Sequence, residues 1–320
     1  MRVEFTVSAI SNPESLLGSP SSSLSAGRSI DLALPKKVLQ VRRRRSYRVY
    51  LPSGYDGKQK LPLLVVLHGC KQTHLDMQAT TGFDAIADRE NFIVVYPYIT
   101  SHAPLRSRNC WGWWLPRQRM RDRGEVGDIQ HIVDSVVSSF AVDSKRLHIC
   151  GLSAGAAMSV VALATYSDIW RSGASVAGVP YGESARAVKF ARSIPVRYKA
   201  LSTLHRLLRA VLVSDAPDLL VIHSTGDKLV DVALSQNLVE TWKHACALPT
   251  QSEKPAIGLS NAVPWRLAQY TNENGHVRLG YLTVDGIEHG WIGGQPGPYS
   301  LTEGPNISEL IWAFFNKDKD

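Results

Sequence analysis

Three residues whose side chains could together carry out nucleophilic chemistry occur along the 320-residue chain in the order Ser153, Asp227 and His289. A serine hydroxyl is a poor nucleophile at neutral pH unless an adjacent base takes its proton. An imidazole can be that base, and a carboxylate can hold the imidazole in the productive tautomer and stabilise the imidazolium that forms. The three residues are therefore candidates for acyl transfer through a covalent intermediate on serine.

The serine lies in a G-x-S-x-G pentapeptide, from Gly151 to Gly155, which follows an apolar strand-like run and precedes a helical segment of small residues. Strand, turn and helix in this order are typical of the nucleophile elbow of α/β-hydrolases. Because glycine lacks a Cβ atom, the chain can turn sharply enough to expose the Ser153 hydroxyl. The pentapeptide alone also occurs by chance, so its significance depends on an acid and a histidine that follow in order.

Asp227 and His289 each follow a predicted strand. Asp227 comes after the apolar run at 218–223, and α/β sheets bind ligands beyond the carboxyl ends of such strands. Asp231 competes for the acid role, but it lies where the next helix begins, so we expect it to be an N-cap. His289 lies in a glycine-flanked loop after the last predicted strand. Serine, acid and histidine thus occur in the chain order of α/β-hydrolases.

Buried strands and helices alternate along the chain. The apolar run at 61–67 is typical of a strand buried on both faces of a parallel sheet. A helical pattern at 75–90 and a second buried strand at 92–96 follow it. This alternation predicts an α/β-hydrolase fold, with a mostly parallel central sheet flanked by helices. We expect a single catalytic domain over residues 31–320, preceded by a flexible leader over residues 1–30.

The remaining predicted elements surround this core. They are antiparallel edge strands within 38–51, a helix at 126–140, a short strand at 174–177, hairpin strands at 265–270 and 276–284, and a closing helix at 307–315. Two segments are predicted to be irregular, a long loop at 99–127 and an insertion at 247–264. Residues 183–214 show helical spacing, which is compatible both with a cap over the site and with a peripheral helix pair.

Five motifs occur in one order along the chain: LHGC at 67–70, NCWGWW at 109–114, RGEVGDI at 123–129, GLSAGAAM at 151–158 and EHGWIGG at 288–294. Together they resemble the polyhydroxybutyrate depolymerase family of esterases, which also includes feruloyl and acetylxylan esterases. The resemblance spans about residues 40–316. It implies a serine esterase without cofactor or metal that cleaves short-chain hydroxyalkanoate polyester, its oligomers or related esters, with Ser153, Asp227 and His289 as catalytic residues.

The oxyanion that forms during ester cleavage needs backbone N–H donors. Ala154, which follows the nucleophile, is the first candidate, and Cys70, in the loop after the His-Gly strand end, is the second. The resemblance implies the same role for Cys70. The predicted substrate-binding residues are tryptophans, namely Trp111, Trp113, Trp114 and Trp291. For the first three, which cluster in the long loop, both a substrate wall and core packing remain open.

The acid loop departs from the family pattern. That pattern is usually His-Gly-x-x-Asp, whereas this chain has Ser224 in place of the glycine. His223 and His68 end strands, and we expect both to bond backbone groups rather than act in catalysis. No secretion signal or substrate-binding domain is evident, which favours an intracellular polyester, soluble oligomers or a small ester as substrate. The alternatives are a feruloyl or acetylxylan carboxylesterase and a catalytically silent fold that binds polymer or granules.

Charge and cysteine content bear on partners and compartment. The formal net charge is +8, the pI is about 9.3, and basic clusters lie at 36–48 and 106–123. We interpret these as solvated arginines and expect no nucleic-acid partner, with a polyester granule surface as a candidate partner. No apolar run is long enough to cross a bilayer, which predicts a cytoplasmic location, or secretion if the start codon is misassigned. Whether Cys70 and Cys110 pair is left open.

Overall fold

The computed structural model describes residues 27–35, 45–99, 109–188, 195–249 and 255–317. The strands among these residues are β1 (Arg28–Ala33), β2 (Arg45–Leu51), β3 (Leu61–Leu67), β4 (Ile93–Ile99), β5 (Val142–Leu152), β6 (Ser172–Val176), β7 (Asp218–Ser224), β8 (Ala256–Ser260), β9 (Val263–Thr271), β10 (Val277–Val284), β11 (Trp291–Ile292) and β12 (Ser300–Leu301). The helices are α1 (His74–Thr81), α2 (Phe83–Glu90), α3 (Gly124–Ser139), α4 (Ala154–Thr165), α5 (Leu201–Arg209), α6 (Val232–Ala245) and α7 (Ile307–Phe315). Short 3₁₀ helices occur at Pro116–Arg119 and Ala185–Ala187.

The main sheet is parallel at its centre and antiparallel at both ends. Its strand order is β1-β2-β4-β3-β5-β6-β7-β10-β9-β8, and β11 pairs separately with β12. From β4 to β10 in that order, each neighbouring pair is parallel. Every residue of β3, β6 and β7 is buried, as expected for strands covered on both faces. The predicted mostly parallel sheet flanked by helices is confirmed.

Helices cover both faces of the sheet. Apolar side chains of α3, α4, α5 and α6 share one core with the sheet, and those of α1, α2 and α7 share a second core with its other face. α4 is buried along its whole length, because it packs against β5 and β6 on one side and α3 on the other. This packing fixes the position of the turn at Ser153 from which α4 begins.

The helix and strand that follow β3 differ in extent from their predictions. The helix expected at 75–90 is two helices, because Gly82 adopts a φ of +65° and ends α1. The strand expected at 92–96 continues past Pro97 to Ile99. Pairing with β3 ends at Val95 and only the ladder to β2 continues past Pro97, so the residue without an N–H lies where β3 no longer pairs.

The segment at 247–264, predicted to be irregular, contains β8 and the start of β9. The two strands pair antiparallel around a turn in which Asn261 and Ala262 have φ values of +50° and +63°. Asn-Gly is the usual signal for such a turn, and its absence hid the hairpin. At the other end of the sheet β1 begins at Arg28, so the last residues of the predicted leader, 1–30, belong to the sheet, and its first 26 residues lie outside the described part.

The segment at 183–214 contributes α5 to the fold. α5 packs against α6, and the His205 and His244 rings stack there with centroids 4.1 Å apart. Residues 189–194 lie outside the described part of the chain. A role of this segment as a cap stays a prediction.

Candidate active site

The turn between β5 and α4 presents Ser153. Its φ of +56° and ψ of −116° lie in a sparsely populated region for a residue with a side chain. The N–H of Ser153 donates to the carbonyl of Val176 at 2.8 Å. A Cβ atom at Gly151 would lie 2.6 Å from the carbonyl carbon of Gly155, and one at Gly155 would lie 2.3 Å from the carbonyl oxygen of Leu67. Close backbone approach therefore requires both glycines, whereas the unusual φ belongs to the serine.

The three predicted catalytic residues follow strands whose carboxyl ends meet at one edge of the sheet. Ser153 follows β5, Asp227 follows β7 and His289 follows β10. β5, β6, β7 and β10 are consecutive parallel neighbours. Beyond the ends of β7 and β10 the two chains stay together, because the N–H of Thr225 donates to the carbonyl of Val284 at 2.9 Å.

Asp227 and His289 are in direct contact. His289 Nδ1 lies 2.6 Å from Asp227 Oδ2, and the two side chains are 8% and 1% exposed. The same oxygen lies 3.2 Å from Nε2 of His223, which also lies 2.9 Å from the carbonyl oxygen of Val230. Since an ionised carboxylate and a carbonyl can only accept, Nε2 of His223 carries the proton. Oδ1 of Asp227 accepts from the N–H groups of Leu229 and Val230 at 2.8 and 2.9 Å.

These donors keep Asp227 ionised. Burial by itself would raise the pKa of this carboxyl, but the hydrogen bonds from His223 and His289, the charge of His289 and the backbone N–H of Val230 outweigh it and hold the pKa well below its usual range. A carboxylate that stays charged can accept the Nδ1 proton of His289 and stabilise an imidazolium.

Asp231, the competing acid, occupies a different position. Its side chain accepts from the N–H of Ala233 at 2.9 Å and caps the first turn of α6. The predicted N-cap is therefore confirmed, and Asp227 is the carboxylate against His289.

A narrow pocket of about 30 Å³ lies at Ser153. Its walls are apolar apart from the serine and consist of Cys70, Trp113, Ala154, Ala157, Ala177, Val179, Val188 and Val230. A larger cleft of about 270 Å³ lies beside it, lined by Ala187, Val196, Tyr198, Asp227, Lys228, Leu229 and Asp231. Ala187 and Leu229 face the cleft, while their neighbours Val188 and Val230 face the pocket. Consecutive residues at 187–188 and at 229–230 thus line the cleft and the pocket in turn.

The loop of Cys70, after β3, is tied down on several sides. Cys70 forms a disulfide with Cys110, which resolves the pairing that the sequence left open. Gln72 is fully buried; its Oε1 accepts from the N–H of Gly69 at 2.8 Å, and its Nε2 donates to the carbonyl of Pro298 at 2.7 Å. Gln72 is not predicted from the sequence, where its one signal is its place two residues after Cys70. Cys70 and Ala154, whose N–H groups are the predicted oxyanion donors, both line the pocket at Ser153.

The tryptophans of the long loop have different environments. Trp113 lines the pocket at Ser153, and Trp114 packs edge-on against it with ring centroids 5.3 Å apart. Trp111 is 2% exposed, and its Nε1 donates to the carbonyl of His68 at 2.9 Å. Trp111 therefore supports the end of β3 from within the core, and Trp113 is the tryptophan of this loop that lines the pocket.

Trp291, also predicted to bind substrate, belongs to the core. Its side chain is fully buried among apolar residues, and its Nε1 donates to Ser308 Oγ in α7 at 3.0 Å. With no exposed surface, its ring instead packs within the core, edge-on against Phe83 of α2 with ring centroids 5.9 Å apart. The sequence motif around Trp291 does not distinguish substrate binding from core packing, because a tryptophan two residues after His289 is compatible with either role.

The contacts of His223 differ from the prediction. The sequence predicts bonds to backbone groups; the ring does bond the carbonyl of Val230, and it also contacts the carboxylate of Asp227. His68 behaves as expected, with Nδ1 2.9 Å from the carbonyl oxygen of Gly69. Within the described ranges, no group of three or more histidine, cysteine, aspartate or glutamate side chains could hold a metal ion. No helix in these ranges is long and apolar enough to cross a membrane.

Known proteins resemble this chain in sequence and in fold. The chain is 38% identical over 132 residues, which are 41% of its length, to poly(3-hydroxyalkanoate) depolymerase C of Paucimonas lemoignei. That match spans 31% of the relative's length. Feruloyl esterase B of Neurospora crassa is 26% identical over 61% of this chain and 68% of its own. An acetyl xylan esterase from Aspergillus awamori superposes with a TM-score of 0.65 and 17% identity, over 82% of this chain and 94% of that chain, and the two have the α/β-hydrolase fold in common.

Residues 45–243 match the family model for esterase PHB depolymerase. The match covers more than half of the chain and includes the strand, turn and helix around Ser153. The protein therefore belongs to the esterase PHB depolymerase family, within the α/β-hydrolase fold.

Proposed function

We propose that this protein is a serine esterase that hydrolyses short-chain polyhydroxyalkanoate polyester, of the polyhydroxybutyrate type, or its oligomers through an acyl-enzyme on Ser153. The observation that carries the proposal is the 2.6 Å contact between His289 Nδ1 and Asp227 Oδ2, at the sheet edge where the elbow presents the serine. The family of the chain and its polyester-cleaving relative support the same reaction.

The reaction follows from the roles of these groups. His289 takes the proton of Ser153 as Oγ bonds to the ester carbonyl carbon, and Asp227 stabilises the imidazolium. The N–H groups of Ala154 and Cys70 hold the oxyanion, and loss of one such donor costs about 3 kcal/mol of transition-state stabilisation. When the tetrahedral intermediate collapses, the bond to the alcohol oxygen breaks and that oxygen receives the proton from His289. Water, activated by the same histidine, then releases the acid from Ser153.

The size of the pocket favours a small acyl group. A space of about 30 Å³ is small for an aromatic ring, so the pocket favours a short aliphatic acyl group over a feruloyl group. The adjoining cleft of about 270 Å³ can hold a further part of an extended ester. A carboxylesterase of the acetylxylan type is the second candidate, because an acetyl group fits the same pocket.

The compartment and the granule surface are also matters of proposal. A disulfide persists in oxidising surroundings, so the Cys70–Cys110 bridge counts against the cytoplasmic prediction. Two arginines of the first basic cluster are engaged within the protein: Arg48 pairs with Asp31 at 2.7 Å, and Arg45 donates to the carbonyl of Pro35. Association with a granule would therefore depend on the remaining cations, and it should weaken as salt is added.

A substrate panel tests the proposed function. We would assay amorphous polyhydroxybutyrate, hydroxybutyrate oligomers, acetylated xylan, methyl ferulate and p-nitrophenyl esters of increasing acyl length. We expect turnover of the oligomers and of short acyl esters, and a loss of roughly 10³-fold or more in Ser153→Ala. Ser159→Ala is the matched control, since this α4 hydroxyl bonds only the carbonyl of Gly155 in the described structure. Unchanged turnover in Ser153→Ala would refute the proposal, and preferential cleavage of acetylated xylan would favour the second candidate.

A further inference from the structure

Ser224, which stands where the family pattern usually has glycine, connects the two loops that carry Asp227 and His289. It is the last residue of β7 and is 4% exposed. Its Oγ donates to the carbonyl of Ile287 at 2.5 Å and accepts from the N–H of Gly226 at 3.2 Å. One hydroxyl thus bonds its own loop on one side and the histidine loop on the other.

This bond acts beyond the end of the β-sheet ladder. The pairing of β7 with β10 ends at Ser224 and Val284. The chain then turns at Gly286, which has a φ of +71°, so the ladder no longer determines the course of the following residues. The carbonyl of Ile287 lies only two residues before His289. Holding this carbonyl fixes the loop close to the point from which the imidazole extends.

The two loops are in close contact at this point. A Cβ atom on Gly226 would lie 2.6 Å from the carbonyl oxygen of Ile287. A second hydroxyl, that of Thr225, accepts from the N–H of Gly286 at 3.0 Å, but Thr225 is exposed and its bond is one residue farther from His289. Because a hydrogen bond shielded from water is costly to lose, the Ser224 bond constrains the loop more strongly.

We propose that Ser224 is a positioning residue that sets His289 against Asp227 by holding the carbonyl of Ile287. This inference rests on the proposed function. The contact between His289 and Asp227 joins two separate loops, and proton transfer depends on their relative placement to within a fraction of an ångström. Ser224 does not touch the substrate or the reacting atoms; its effect reaches catalysis through the orientation of the imidazole.

The test compares Ser224→Ala, Ser224→Gly and Ser224→Thr with the wild-type protein, using p-nitrophenyl butyrate. We expect kcat to fall roughly tenfold in the alanine and glycine variants, since the acceptor loses its donor, with KM unchanged. Ser224→Thr keeps the hydroxyl and should retain kcat within about twofold of wild type. Thr283→Val is the matched control, because the described bond of the Thr283 hydroxyl goes to the carbonyl of Arg266 on the neighbouring strand and not to the loop of His289.

A spectroscopic readout separates positioning from stability alone. The proton between His289 Nδ1 and Asp227 should give a far-downfield ¹H resonance, because it lies in a short hydrogen bond to a carboxylate. We expect this resonance to shift or broaden in Ser224→Ala and to stay unchanged in Thr283→Val. A residue that only contributed to stability would lower the melting temperature without moving the resonance.

The outcomes distinguish this inference from the proposed function. A wild-type protein without esterase activity would refute the function, whereas an active wild type with an equally active Ser224→Ala variant and an unmoved resonance would overturn only the role of Ser224. If the alanine and glycine variants fail to fold, Ser224→Cys keeps a side chain of similar size with a weak donor. It should show a reduced kcat and a shifted resonance, and wild-type values for both would overturn the inference.

Discussion

His289 Nδ1 lies 2.6 Å from Asp227 Oδ2, although the two residues belong to different loops at the ends of neighbouring strands. His223 shares the same carboxylate oxygen, and two backbone N–H groups bond the other oxygen. Four donors therefore surround one carboxylate, which matches its capacity to accept. This arrangement keeps Asp227 ionised and restricts its rotation, and most of the following predictions depend on it.

Replacing the acid should impair catalysis far more than it impairs folding. Asp227→Asn keeps the shape of the side chain but removes its charge, so we expect kcat to fall by roughly 10⁴-fold because the tautomer and charge of His289 are no longer supported. Asp231→Asn is the control, since asparagine is an equally good N-cap and activity should stay near wild type. Hydrolysis of p-nitrophenyl butyrate measures both. A larger loss in Asp231→Asn would contradict the assignment of the acid.

The second histidine at the acid should matter for turnover as well as for stability. His223→Phe keeps an aromatic ring but removes the Nε2 donor, so we expect kcat to fall by roughly tenfold with little change in KM. His148→Phe is the comparison, because His148 is also buried but bonds Ser172 near the opposite end of the strands. It should lose stability and keep its kcat. Equal effects of the two variants on kcat would argue against a specific role for His223.

The Cys70–Cys110 bridge should stabilise both the fold and the site. It closes a loop with a sequence separation of 40 residues, and removing it in Cys70→Ala/Cys110→Ala should cost about 2–4 kcal/mol in the free energy of unfolding. Activity should also fall, since the bridge joins the loop of Cys70, the proposed oxyanion donor, to the loop of Trp113. Thiol titration in denaturant checks the pairing: Cys150 and Cys246 are free, so two thiols should react before reduction and four afterwards. Four reactive thiols before reduction would contradict the bridge.

Two tryptophans should separate binding from packing. Trp113 lines the pocket, so Trp113→Ala should raise KM for hydroxybutyrate oligomers by roughly tenfold, because apolar contact area with the substrate is lost. Trp291 is fully buried, and Trp291→Phe should lower the melting temperature while leaving KM unchanged. Steady-state kinetics and thermal unfolding of both variants provide the check. A raised KM in Trp291→Phe at full stability would return that residue to the substrate site.

The free energy of unfolding should decrease as the pH is lowered from about 6.5 to about 4, partly because of His68. Burial lowers the pKa of His68 to about 4, although its bond to the Gly69 carbonyl opposes the shift. The ordinary pKa of histidine is about 6.5. Between these two pH values, the unfolded chain binds a proton at this histidine that the folded protein does not bind. The free energy of unfolding therefore rises with pH in this range, and the stabilisation disappears as the pH is lowered through it. Urea unfolding at a series of pH values should show the dependence reduced by roughly one proton in His68→Gln. A slope in His68→Gln equal to that of the wild type would contradict this account.

Much of the fold could be predicted because local patterns carry it. The continuous apolar run of β3 was found with its observed bounds, Leu61–Leu67, and the capping role of Asp231 followed from its place before α6. The elbow at Ser153 was recognisable because the close backbone approach there admits only glycine at Gly151 and Gly155. Each of these features depends on residues near one another in the chain, so the amino-acid order alone was sufficient.

Features that depend on contacts between distant residues could not be predicted in this way. The sequence places Cys70 and Cys110 in two loops but contains no distance between them. It places Trp291 two residues after His289 without showing that its ring is buried in the core. In the sequence, His223 is only the residue near a strand end, and Ser224 is only a departure from the family pattern. The structure shows that His223 contacts Asp227 and that Ser224 bonds the carbonyl of Ile287. The sequence itself determined the chemical groups of the candidate site and the order of Ser153, Asp227 and His289 along the chain. Which donors meet which acceptors was decided only by the tertiary structure, because hydrogen bonds and packing act over a few ångströms in space, however far apart the residues lie in the chain.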